Sequence, residues 1–167
     1  MLTPRALKQA ENIVAKPMDR YFFAYEQPSF ISAKSNGGQQ YEVQNVIVID
    51  GNADGWLKIQ TWEGDKWINL SDVIEFEVIA TAYSVENSSP SERITAANID
   101  IGKNPNIKLI AVDPKVIPLR TKEHVEGHGE AIAGDTGGAI KGNRIDVLFP
   151  TEKQEIRLGR KTVKIKI

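Results

Sequence analysis

Asp113, Asp135 and Asp146 are the residues of this 167-residue chain whose type and setting best suit them to chemistry. Each lies in, or at the end of, an apolar run beside a turn. They are separated by 22 (135 − 113) and 11 (146 − 135) positions. Spacing alone does not bring them together, but strands folded side by side would. Like charges sharing a cleft raise at least one carboxyl pKa, and partial desolvation raises it further. A carboxyl held protonated near neutral pH can act as a general acid on a glycosidic oxygen. A salt-bridged Asp beside a tight hairpin has the same sequence appearance, and structural ion pairs are the commoner case. Lys141 and Arg144 would oppose a raised pKa if they faced the carboxyl, and could instead steady its partner or bind substrate.

Other polar groups carry less. His124 and His128 flank a glycine turn without the carboxylate spacing of a zinc motif, which predicts solvated loop residues and no metal role. Ser84, Ser88, Ser89 and Ser91 fall in a polar loop with no base beside them in sequence, which argues against a serine nucleophile. Gly134 to Gly142 is glycine-rich but lacks the lysine–hydroxyl pair of a phosphate loop.

The elements that must position the aspartates are strands. In Arg144-Ile145-Asp146-Val147-Leu148-Phe149 alternate residues share a face, so Ile145, Val147 and Phe149 anchor one side and Asp146 projects from the other. Glycines at 137, 138 and 142 leave room for close approach and for unusual backbone turns. Further strands are expected from Ile74 through Ser84, at Lys108–Val112, around Glu123–Val125 and Glu130–Ala133, and at Thr162–Ile167. One short helix is expected over Thr151–Leu158, capped by Gly159. Upstream, Tyr21 to Leu70 holds about five short strands cut by turn residues, with Glu63-Gly64-Asp65 as a hairpin turn. Trp56, Trp62 and Trp67 read mainly as packing aromatics; alternation sets Trp56 opposite Leu57 and Ile59, where it would line a groove. Residues 2–16 show a loose helical stripe behind a Thr3-Pro4 start.

Composition narrows the partners. Hydrophobic residues make up 41% of the chain, enough for a packed core, and the formal net charge is −1. The basic residues are dispersed, which argues against nucleic acid as a partner. There is no cysteine, hence no disulfide or thiolate metal site. No stretch is apolar enough to span a membrane, and the first residues lack a signal-peptide pattern.

Several ordered motifs carry a family resemblance. Ala80-Thr81-Ala82-Tyr83, Ile110-Ala111-Val112-Asp113-Pro114-Lys115-Val116-Ile117-Pro118-Leu119, Val125-Glu126-Gly127, Asp135-Thr136-Gly137-Gly138-Ala139-Ile140-Lys141-Gly142-Asn143-Arg144-Ile145-Asp146-Val147 and Gly159-Arg160-Lys161-Thr162-Val163 closely resemble the three-aspartate (3D) domain. That domain is similar to the catalytic barrel of membrane-bound lytic transglycosylase A and to stationary-phase muralytic proteins. Separately, Gly55-Trp56-Leu57-Lys58-Ile59 followed by a turn and Trp67-Ile68 resembles a bacterial SH3-like domain. The resemblances imply a mainly β protein: an N-terminal helix or linker (1–20), an SH3-like barrel (21–72) and a six-stranded double-psi β-barrel (73–167).

What they imply for function is a lytic transglycosylase. It would cleave peptidoglycan glycan strands between N-acetylmuramic acid and N-acetylglucosamine, forming a 1,6-anhydro ring with no metal or cofactor. Asp146 would be acid and then base, supported by Asp135 and Asp113. Thr81, Tyr83, Thr95, Gly138 and Lys141 fall on motif positions near the cleft and are expected to contact sugar. The alternatives are a non-catalytic wall-binding or wall-loosening module, or a glycoside hydrolase; the SH3-like part would hold wall or a protein partner. The substrate places the protein outside the cytoplasmic membrane, in the extracellular space or cell wall. After Thr95-Ala96 the stretch Ala97-Asn98-Ile99-Asp100-Ile101-Gly102 departs from the family pattern, so the cleft wall there is expected to differ.

Overall fold

The computed structural model describes residues 13–18, 21–42, 45–52 and 54–167. In chain order the strands are β1 (Ile13–Pro17), β2 (Tyr21–Phe22), β3 (Tyr41–Glu42), β4 (Val46–Gly51), β5 (Trp56–Thr61), β6 (Gly64–Asn69), β7 (Val73–Ser84), β8 (Leu109–Ala111), β9 (Lys122–Val125), β10 (Gly129–Asp135), β11 (Arg144–Phe149) and β12 (Lys161–Lys166). The α-helix among the described residues is α1 (Glu152–Leu158), closed by Gly159 at φ 61°. None of the described helices is long and apolar enough to cross a membrane.

The last six strands close on themselves. Neighbours run β11-β8-β10-β9-β12-β7, and β7 pairs back onto β11. The result is a closed six-stranded barrel with two parallel pairs, β7–β11 and β8–β10. Closure removes the unpaired edges that an open sheet would present. Alternation fills the interior: Val78 and Ala80 from β7, Ile145 and Val147 from β11, and Val163 and Ile165 from β12 are all buried. The valine and isoleucine side chains among them each contribute roughly 1.5–3 kcal/mol on burial.

β7 also joins the two halves of the chain. Its first residues pair with β1, and β1 continues the sheet through β4 and β5 to β6. Ala15, Val48, Leu57, Ile59 and Ile68 belong to the same apolar core as Phe76, Val112 and Ile145. The regions 21–72 and 73–167 therefore share one sheet and one core rather than hanging on a tether. The join is tight at Gly51, where an added Cβ would collide with the Lys115 carbonyl oxygen.

Local differences from the sequence expectation have physical causes. The helix expected over 2–16 lies mostly outside the described residues. Its last four positions, 13–16, belong instead to β1, where β-branched Val14 sits between two antiparallel partners, β4 and β7. Trp56 does not line a groove: it is 6% exposed, packed edge-on to Tyr25 and against Phe30. His128 is not a solvated loop residue. Its ring meets the Phe149 ring edge-on at 5.1 Å, and both nitrogens are buried without a hydrogen-bond partner. Burial, then the Lys108 charge, lowers its pKa to about 4. His124 does face outward, 2.7 Å from Glu130.

Candidate functional site

Asp146 projects from β11 on the face opposite Ile145 and Val147, as strand alternation requires. Parallel pairing sets it directly beside Thr81 of β7. The Thr81 hydroxyl donates to Asp146 Oδ1 at 2.7 Å. Leu148, on the same face, belongs to a second apolar cluster with Val85, Ile101 and Leu109, and Tyr83, Ile99 and Ile107 pack against it. This cluster, built largely by the 85–107 loop, covers that side of the barrel and withholds water from part of it. Desolvation raises the Asp146 pKa; the Thr81 bond opposes it, and the charges of Glu155 and Asp135 add to it.

Asp135 ends β10. Its Oδ1 accepts from the backbone N–H groups of Ala96 and Thr136, at 3.0 and 2.9 Å. The Tyr83 hydroxyl donates to Oδ2 at 3.4 Å. Burial, then the charges of Asp135 and Asp146, raise the Tyr83 pKa well above its ordinary value, so the phenol remains a donor. Asp135, Asp146 and Tyr83 line a single open groove of about 330 Å³, together with Glu155, Ser84, Asn87 and Gly137.

The other sequence candidates sit elsewhere. Asp113 is buried and takes the N–H groups of Lys115 and Gly142 on its two oxygens, at 3.1 and 2.9 Å. It ties the 113–117 turn to the glycine turn before β11; Gly142 there holds φ 62°. Thr95 is buried, with its hydroxyl accepting from Ile99 N at 3.2 Å. It shapes the loop whose next residue, Ala96, reaches Asp135. Gly138 and Lys141 are exposed and are not part of the groove lining.

Glu155 was not singled out by sequence. It lies on α1, where a carboxylate in the first turn also suits the helix dipole. Its Oε2 accepts from Ser84 Oγ at 2.7 Å and Asn87 Nδ2 at 3.2 Å. Ser84 therefore does have a carboxylate beside it, brought from 71 residues away. The available signal was the pattern Thr151-x-x-Gln154 opening a short helix straight after the strand that carries Asp146.

Residues 108–167 match the family model of the 3D domain. This part of the chain carries a 3D domain. The chain is similar to the cell wall-binding protein YocH of Bacillus subtilis, 55% identical over 93 residues, which are 56% of this chain and 32% of that protein. The putative cell wall shaping protein YabE of Bacillus subtilis is 58% identical over 90 residues, 54% of this chain and 22% of that one. An uncharacterized cell wall amidase of Bacillus anthracis is 26% identical over 152 residues, 83% of this chain and 28% of that one. The chain thus spans a third or less of each of these relatives. The 3D-domain match covers β8 to β12 with Asp113, Asp135 and Asp146, while Thr81 and Tyr83 lie on β7 upstream of it.

Proposed function

We propose that this 3D-domain protein acts outside the cytoplasmic membrane, on the bacterial cell wall, as a peptidoglycan lytic transglycosylase. The observation that carries the reading is Asp146: a desolvated carboxyl, hydrogen-bonded by Thr81 and raised in pKa by its surroundings, in an open groove shared with Asp135 and Glu155. Such a carboxyl holds its proton to higher pH than a solvated aspartate does, which suits a general acid. In the proposed step Asp146 donates its proton to the oxygen bridging muramic acid C1 and glucosamine C4. The C1–O bond breaks with oxocarbenium character. The Asp146 carboxylate then accepts the proton of the muramic acid 6-hydroxyl as O6 bonds to C1. The proton count closes on Asp146 and no water is consumed. Asp135, fixed by three donors, supplies negative charge to the groove where positive charge develops.

The relatives' names support a wall partner, and two of them name binding or shaping rather than cleavage. They favour a second reading, a wall-binding module whose groove holds glycan without cutting it. Purified sacculi digested with the chain and analysed by mass spectrometry separate the readings. Anhydro-muropeptides, lost in Asp146→Asn, are the expected result. Products carrying an added water would assign a glycoside hydrolase with two acting carboxyls. Sedimentation with the wall and no soluble product would assign the binding module.

A further inference from the structure

We propose that the hollow beside the β5–β6 hairpin is a second binding site, for a neutral N-acetylated sugar unit. Trp62 stands at the hairpin turn between Thr61 and Gly64 and is 66% exposed. Turn positions favour Gly, Asn and Asp, so an exposed indole there gains the fold little. The ring is nevertheless held in place. Its centroid is 4.5 Å from that of Tyr41, at 49°. Tyr41 is itself buried, stacked on Phe22 at 5.8 Å, and its hydroxyl lies 2.9 Å from Glu63 Oε2 and 3.0 Å from Ser35 Oγ. An aromatic face fixed in advance costs little further ordering on binding.

Beside it lies a hollow of about 390 Å³, with Phe22, Tyr41, Ile47, Asn45 and Gln60 among the residues that line it. None of the described residues lining it bears a charge. A charged ligand entering would lose hydration without compensation, which disfavours the lactyl carboxylate of muramic acid and acidic peptide stems. The indole face is electron-rich and attracts the weakly positive C–H face of a pyranose, by the electrostatics that underlie aromatic and cation contacts. Asn and Gln each offer both donors and an acceptor, matching an acetamido group and its neighbouring hydroxyls. The site does not depend on the chemistry of the Asp146 groove.

The test uses the full chain and uncharged N-acetylglucosamine oligomers, followed by tryptophan fluorescence and by calorimetry. Saturable binding with a shift in Trp emission is expected. Trp62→Ala should weaken binding by about tenfold or more and Gln60→Ala several-fold. Circular dichroism confirms that each variant is folded. Unchanged binding in both Trp62→Ala and Gln60→Ala would overturn the proposal. Failure of the parent to bind the neutral oligomer while it binds an anionic stem peptide would overturn it too. Binding through Trp62 without release of anhydro-muropeptides would retain this site and remove only the transglycosylase reading.

Discussion

The Thr81 hydroxyl donates to Asp146 Oδ1 at 2.7 Å across a parallel strand pair, so β7 and β11 hold the proposed acid and its regulator in fixed register. A hydroxyl donating to a carboxylate favours the charged form and draws the pKa down. In Asp146 it works against desolvation. Removing it with Thr81→Val, a change of similar volume, should leave Asp146 protonated to higher pH. The alkaline limb of kcat/KM for sacculus solubilisation should then move up, by less than about one pH unit. A limb that stays in place would separate Thr81 from the titration.

Glu155 acts with the opposite sign. Its negative charge contributes to raising the Asp146 pKa, and it is seated by Ser84 and Asn87. Glu155→Gln keeps an acceptor for Ser84 and removes the charge. The same alkaline limb should move down, lowering the rate at neutral pH more than at acid pH. Thr81→Val and Glu155→Gln together form a paired test, because a merely structural disturbance would not shift one profile up and the other down.

Asp113 is expected to matter through structure. Asp113→Ala leaves the N–H groups of Lys115 and Gly142 without their acceptor, a cost of about 1–3 kcal/mol for each group that stays buried. The melting temperature should fall by several degrees. Activity measured well below the new melting temperature should decline through KM and groove geometry, without the collapse expected of Asp146→Asn. A loss as complete as that of Asp146→Asn, in a variant that remains folded, would give Asp113 a direct part in the chemistry.

Strand content and the face carrying Asp146 were legible because period-two patterning is local: Ile145 and Val147 predict where Asp146 must point. The pairing of Asp146 with Thr81 was not, since 65 residues separate them and barrel closure sets the register. The same limit hid Glu155, whose partner Ser84 is equally remote in sequence. Asp113 carried the same motif weight as Asp135, yet its oxygens are consumed by two turn N–H groups. Among the tryptophans, alternation along β5 pointed to Trp56, but the 23–34 loop folds over it with Tyr25 and Phe30. Trp62 escaped because a turn residue has no strand face to predict.

Glu123 gives the fold a pH dependence of its own. It lies on β9 beside Val125's inward position, 2% exposed, with neither carboxylate oxygen hydrogen-bonded. Burial pushes its pKa up to about 8 from an ordinary value of 4.5. Between those two values the unfolded chain has released the proton while the folded chain still holds it. Stability associated with this group is therefore full below about pH 4.5, falls as pH rises and levels off above about pH 8. Glu123→Gln cannot ionise, so its melting temperature should lack this decline. The gap between variant and parent should grow in the variant's favour from pH 4.5 to pH 8, reaching on the order of a few kcal/mol. Thermal unfolding at several pH values measures it, and a gap independent of pH would mean that Glu123 meets water or a partner in the folded barrel.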